Sequence, residues 1–157
     1  MTSKEIKIAY LEYESLDQLS ETDRKVAEAA IEATGSAYAP YSEFSVGAAV
    51  MLDDGLIVKG SNQENAAYPS GLCAERTAMF YASAEYPGKA MKTIAVAAAK
   101  DGKLCSSPAT PCGSCRQVMA QYQGKSGSDL AIILVGSDKI WKFSKVDYLL
   151  PLIFDSI

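Results

Sequence analysis

The sequence predicts an α/β layered domain, and three observations carry that expectation. The chain has 157 residues, 48% of them apolar, which suffices for one domain whose core needs no disulfides. Short apolar runs bounded by turn residues alternate with longer stretches of good helix formers. In order they read helix, hairpin, helix, strand, helix, strands and a terminal turn, which implies a sheet with helices packed on it.

Residues 4–13, "KEIKIAYLEY", alternate weakly and suggest an edge strand or an ordered extension. Ser20 or Thr22 can cap a helix running to about Ala37, with Val26, Ala27, Ala30, Ile31 and Thr34 on one side. "FSVGAAVML" (44–52) and "LIVKGSN" (56–62) flank "DDG" and predict a hairpin. "CAERTAMFYASAEY" (73–86) is helical by propensity and stops before Pro87-Gly88. "KTIAVAAAK" (92–100) reads as a buried strand and "LCSSPATP" (104–111) as a loop. A helix follows from about Cys112 to Tyr122, and "GKSGS" (124–128) reads as a surface turn. "DLAIILVG" (129–136) and "IWKFS" (140–144) are strands, and "VDYLLPLIF" ends in a helical turn stopped by Pro151.

Lys and Arg number 15 against 19 Asp and Glu, a net charge of -4, and no block of basic residues occurs. Binding a phosphate backbone requires clustered positive charge, so a nucleic acid polymer is not an expected partner. The N-terminal "MTSKEIKIAYLEYESL" lacks the apolar run of a signal peptide. No apolar stretch approaches the ~20 residues that span a bilayer. The expectation is a cytoplasmic protein with reduced thiols and no membrane partner.

The cysteines are Cys73, Cys105, Cys112 and Cys115, and there is no histidine. That excludes Ser-His-Asp and Cys-His nucleophilic schemes and every imidazole ligand. Any proton shuttle must be a carboxylate, Lys, Tyr or Cys. In "TPCGSCRQVM" (110–119), Cys112 follows Pro111, and Cys73 follows "YPSGL". Both stand where a helix is predicted to begin, and a helix N-terminus stabilises a thiolate. Two such ends facing each other could hold zinc with Zn–S near ~2.3 Å, and Cys115, about one turn on, could join them. A redox pair normally follows the first strand of its domain, whereas this pair comes late. Spacing alone leaves open a closed four-cysteine structural site and a catalytic three-cysteine site. Glu75, two residues after Cys73, favours the second. A structural site has no use for a carboxylate, whereas a site that activates water needs one to carry its proton.

"CAE" at 73–75 with "PCGSCRQ" at 111–117 resembles the zinc nucleoside and nucleobase deaminase signature in its three-cysteine form. More closely, "AYAPYSEFSVGAA" (37–49), "NQENAAYPSGLCAERTA" (62–78), "PCGSCRQVM" and "LLPLIF" (149–154) are similar to the small homotetrameric cytidine deaminases. The likeness covers about residues 22 to 154. It implies a three-layer α/β/α domain, residues 1–157, with a central mixed sheet of about five strands. Residues 1–20 would be an extension without a counterpart in shorter members.

The resemblance further implies that Cys73, Cys112 and Cys115 bind one zinc per subunit, with water in the fourth position. Glu75 would be the proton shuttle. Asn62 and Glu64 would hold the ribose hydroxyls, Phe44 would pack on the pyrimidine, and Ala74 would line the substrate. Ala66, Tyr68 and Phe154 match positions that reach a neighbouring subunit's site, and Cys105 matches no ligand. The implied reaction is hydrolysis of cytidine and 2′-deoxycytidine to uridine and 2′-deoxyuridine in pyrimidine salvage, by water activated at the zinc and attacking C4. Ser45 departs from a frequent Pro, and Gln63 from a frequent aliphatic residue.

Two further arguments stand beside the resemblance. An Asn and a carboxylate two apart at a strand end suit a diol, and the carboxylate would repel a nucleotide's phosphate. Zn²⁺ with three thiolates carries a net charge of -1, so Arg76 is expected to offset it through hydrogen bonds to the sulfurs. A structural zinc module and a deaminase of another amine, such as a nucleoside antibiotic, are the alternatives.

Overall fold

Alanine, valine and isoleucine fill successive positions of the middle strands, so both faces of their sheet require cover. The computed structural model describes residues 1–155. Its strands are β1 (Leu11–Tyr13), β2 (Phe44–Leu52), β3 (Ile57–Ser61), β4 (Met91–Lys100), β5 (Lys103–Leu104), β6 (Ala131–Val135) and β7 (Ile140–Phe143). Its helices are α1 (Glu21–Ala33), α2 (Ala74–Glu85) and α3 (Gly113–Ser126). The sheet runs β1-β7-β6-β4-β2-β3, with β5 beside β4. β4 and β6 are parallel and the other neighbours antiparallel, a mixed sheet as expected. The five expected strands are β2, β3, β4, β6 and β7. β1, three residues long at the sheet edge, lies within the 4–13 stretch that suggests an edge strand or extension, and β5, two residues long, is an addition.

Period-two alternation sends neighbouring residues to opposite faces. Ala95 and Ala97 of β4 meet Val26, Ala27 and Ala30 of α1, whereas Ile94 and Val96 lie in the core with Ala78, Met79 and Met119 of α2 and α3. The result is the three-layer arrangement. α1 sits close because β2 presents Gly47, where a Cβ would lie 2.2 Å from the Ala30 carbonyl oxygen.

β3 and β4 both pair antiparallel with β2, so they run parallel to each other, as do β4 and β6. α2 links the first pair and α3 the second, and both links step the same way across the sheet. A shared crossover hand therefore puts both helices on one face. Both also start beyond the C-terminal ends of their strands, the edge where open α/β sheets build sites.

Helix ends differ slightly from expectation. Ser20, not Thr22, caps α1, accepting from the Asp23 amide at 3.1 Å. A short 3₁₀ turn, Thr34–Ser36, continues α1 toward Ala37. α3 runs on through Gly124 to Ser126, so most of the expected surface turn is helix. It stops at Gly127, whose φ of 61° is the left-handed end that glycine tolerates.

The N-terminal residues fasten to β7. Trp141 Nε1 donates to Glu12 Oε2 at 2.6 Å, and Tyr10 packs on Trp141 and Phe143. No helix among the described residues is long and apolar enough to cross a membrane.

Candidate active site

Cys73 and Cys112 are the N-cap residues of α2 and α3, and neither side chain caps its helix. Both sulfurs are thus free to point between the two helix ends, where unpaired N–H groups favour negative charge. Cys115 lies in the first turn of α3 and is buried. The three sulfurs lie within 4.8 Å of one another, and those of Cys73 and Cys112 are 3.9 Å apart. Tetrahedral zinc with Zn–S near ~2.3 Å has sulfur–sulfur edges of roughly 3.8 Å, so the triangle fits the ion. Cys105 stands apart, near β5, and does not belong to the cluster.

The donor chemistry fits as well. A hydrogen bond from Cys115 and another from Arg76 hold the Cys73 thiol down at about 5, against burial. Cys115 is pushed up, because it shares its proton with Cys73 and is buried. One thiolate forms readily and the next is resisted, a resistance that a divalent cation between the sulfurs removes. Arg76 Nη2 donates to Cys73 Sγ at 3.5 Å, as expected. Its Nε is the buried side-chain nitrogen or oxygen left without a partner among the described residues.

Glu75 is 4% exposed and sits at the mouth of α2. Burial raises its carboxyl above the usual range, although its own backbone amide opposes the shift. The Cys73 charge pushes in the same direction as burial. Such a group exchanges a proton nearer neutrality than an exposed glutamate.

Beside the cluster opens a cavity of about 520 Å³, lined by Asn62, Glu64, Tyr68, Cys73 and Arg76 among others. Its wall is a backbone clamp. Gln63 pairs with Leu72 on one side and bridges to Tyr38 on the other, and Leu72 directly precedes Cys73. The Asn62 amide extends the sheet, accepting from Val46 N at 2.8 Å and donating to Phe44 O at 2.9 Å. Glu64 accepts from the amides of Tyr41 and Ser42 at 2.8 and 3.2 Å.

Sequence-predicted residues thus divide into groups. Cys73, Cys112 and Cys115 converge with Glu75 and Arg76, while Asn62, Glu64 and Tyr68 line the adjoining cavity. Phe44 is half-buried and joined to the cavity wall through Asn62. Ala74 is fully buried and does not line the cavity. Ala66 and Phe154 do not line the cavity, and both are exposed. Tyr41, Ser42 and Asn65 also line it and were not singled out as site residues, although they stand inside the motif stretches, and Gln63, named as a departure from the family pattern, lines it too.

The sequence profile of the cytidine and deoxycytidylate deaminase zinc-binding region matches residues 20–126, which hold all three clustered cysteines and Glu75. The chain belongs to this deaminase family. Among related deaminases, the cytidine deaminase of Halalkalibacterium halodurans is 49% identical over 92 residues. That stretch spans 59% of this chain and 65% of that protein, just under two-thirds of its length. A probable cytidine deaminase of Dictyostelium discoideum is 36% identical over 131 residues, 83% of this chain and 82% of the relative. The crystal structure of the Burkholderia pseudomallei cytidine deaminase superposes with a TM-score of 0.71 at 38% identity, covering 87% of this chain and 100% of that one. The Mycobacterium tuberculosis cytidine deaminase gives 0.66 at 32%, covering 84% and 96%. The deaminase fold therefore extends well beyond the signature itself.

Proposed function

We propose that this chain, read as a single domain with residues 1–20 as an extension, hydrolyses cytidine and 2′-deoxycytidine to uridine and 2′-deoxyuridine with release of ammonia, in cytoplasmic pyrimidine salvage. One observation carries the reading: a buried carboxyl, Glu75, stands beside a sulfur triangle that the fourth cysteine does not join. The relatives' names support cytidine as the substrate.

Cys73, Cys112 and Cys115 hold one zinc. Bound there, zinc acts as a Lewis acid that makes water nucleophilic near neutral pH. Glu75 takes a proton from that water and delivers one to ring N3, so that C4 becomes electrophilic. Once the C4–O bond has formed, the same carboxyl takes the second proton from the new C4 hydroxyl and gives it to the amine, as the C4–N bond breaks and the C4 carbonyl forms. Its raised pKa suits both transfers, and one carboxyl serving both explains a site without histidine. Arg76 spreads the negative charge of the sulfurs.

Asn62 and Glu64 receive the ribose hydroxyls in the cavity, and a carboxylate there favours a free nucleoside over a nucleotide. Phe44 packs on the pyrimidine, and Ala74 lines the substrate. Exposed Ala66, Tyr68 and Phe154 complete the site of a neighbour in a homotetramer. Zinc analysis together with ultraviolet absorbance after cytidine is added tests the reading. One zinc per chain and loss of the cytidine band are expected. A zinc-loaded protein that leaves both nucleosides unchanged overturns it.

A further inference from the structure

α3 carries the candidate ligands Cys112 and Cys115 at one end and grips the C-terminal segment along its length. Near its far end, Gln123 Oε1 accepts from the Val146 amide at 3.0 Å, and Nε2 donates to Asp147 at 2.9 Å. Near the cysteines, Arg116 Nη1 donates to the Leu149 carbonyl at 3.0 Å, and Gln117 Nε2 donates to the Phe154 carbonyl at 2.7 Å. The segment therefore runs back along α3 toward the cluster.

Arg116 has a second partner. Its Nε donates at 2.8 Å to the carbonyl of Pro111, the residue directly before Cys112. Pro111 and Leu149 are both buried, and a buried carbonyl needs a donor. One planar guanidinium thus satisfies two chain segments 38 residues apart, one entering the cysteine cluster and one entering the tail. Lysine cannot reproduce this, because its ammonium is a point donor rather than a fork.

We propose that Arg116 is a positioning residue that couples metal occupancy of the cysteine cluster to docking of the C-terminal segment, through its paired bonds to the carbonyls of Pro111 and Leu149. The tail's hold on Leu149 fixes the guanidinium, the guanidinium fixes the Pro111 peptide, and that peptide sets where Cys112 begins α3. Coupling of this kind is reciprocal, so zinc must also order the tail. The inference rests on the reading that Cys73, Cys112 and Cys115 hold zinc.

Two measurements test it on the zinc-loaded protein. The first is the rate of zinc release into an excess of chelator. Arg116→Gln and Gln123→Ala, which loosens the tail far from the cysteines, should each speed release by ~5-fold or more. The double variant should release no faster than Arg116→Gln alone, because both act through one path. Release untouched by Gln123→Ala, or effects that multiply, overturns the coupling while leaving the zinc site in place. The second is hydrogen exchange of the Leu149 and Leu150 amides, which bond the Val146 carbonyl. Zinc should slow it in the parent protein and not in Arg116→Gln, and equal zinc-dependence in both overturns the proposal. Should Arg116→Gln not fold, Arg116→Lys must show the same losses in weaker form, and parent-like release and exchange in it overturn the coupling. A parent protein that binds no zinc defeats the underlying reading together with the coupling.

Discussion

Arg76 donates to the sulfur of Cys73 from one turn further along α2, at 3.5 Å. The contact lowers the Cys73 pKa and raises that of the guanidinium, so the two side chains share charge. Three thiolates over-neutralise a divalent ion, which weakens its pull on water. A cation bonded to one of them restores part of that pull. Arg76→Gln should therefore keep its zinc and lose ~10-fold or more in kcat on cytidine. Steady-state kinetics beside zinc analysis checks this, and kinetics equal to the parent's would remove Arg76 from the site's chemistry.

Glu75 offers a sharper contrast. It is buried beside the sulfurs but is not one of the clustered metal-holding groups. Glu75→Ala should retain zinc and lose at least ~10²-fold in rate, the usual cost of removing a general acid–base. Loss of zinc in this variant would recast the carboxyl as a ligand.

The four cysteines should separate cleanly. Cys73→Ala breaks the triangle and is expected to abolish both zinc binding and activity. Cys105 lies outside it, and its amide bonds the Ala98 carbonyl at 2.9 Å whatever its side chain. Cys105→Ala should keep one zinc per chain and parent-like turnover. A metal-free Cys105→Ala protein would restore the closed four-cysteine reading.

These three expectations follow from residues that were legible in the sequence because their roles are local. Cys73 and Cys112 begin helices just after glycine and proline punctuation, and Glu75 lies within the first turn of one of them. The strands of the central sheet were legible for the same reason, since each apolar run is bounded by turn residues. Contacts that join distant segments were not. β5 exists because Asp101 and Gly102 turn the chain with φ of 52° and 71°, a two-residue hairpin hidden beside a loop of small residues. Asn62 was read as a polar residue for a ligand, yet its amide also continues the ladder of β2, a role set by a neighbour 16 positions away. The hold of Arg116, Gln117 and Gln123 on the tail likewise depends on tertiary placement, which no short motif encodes.

Close helix–strand approach gives a stability prediction independent of the chemistry. At Gly60 of β3 a Cβ would stand 2.5 Å from the Ala78 backbone nitrogen of α2, the helix that carries Cys73 and Glu75 at its start. Backbone cannot yield as a side-chain tip does, so Gly60→Ala must push α2 outward. Overpacking of this kind costs ~1–3 kcal/mol, a fall in Tm of roughly 2–12 °C for a chain of this size. Thermal unfolding checks it, and an unchanged Tm would show that α2 moves freely on the sheet.

Acid should reveal what Glu64 does before any ligand binds. Its carboxylate receives hydrogen bonds from Ser42 and from the Tyr41 amide, and these hold its pKa below the ordinary 4.5. A carboxyl depressed in the folded state contributes stability that is present above its unfolded value and lost as the pH falls through the folded one. The tie between the cavity wall and residues 41–42 is therefore intact through the neutral range and opens only in acid below about 4.5. The amide resonances of Tyr41 and Ser42 should titrate with a midpoint under that value, and Glu64→Gln should abolish the titration. A midpoint at or above 4.5 would mean that the carboxylate is not held by those amides, and that the 41–42 turn reaches the cavity by other means.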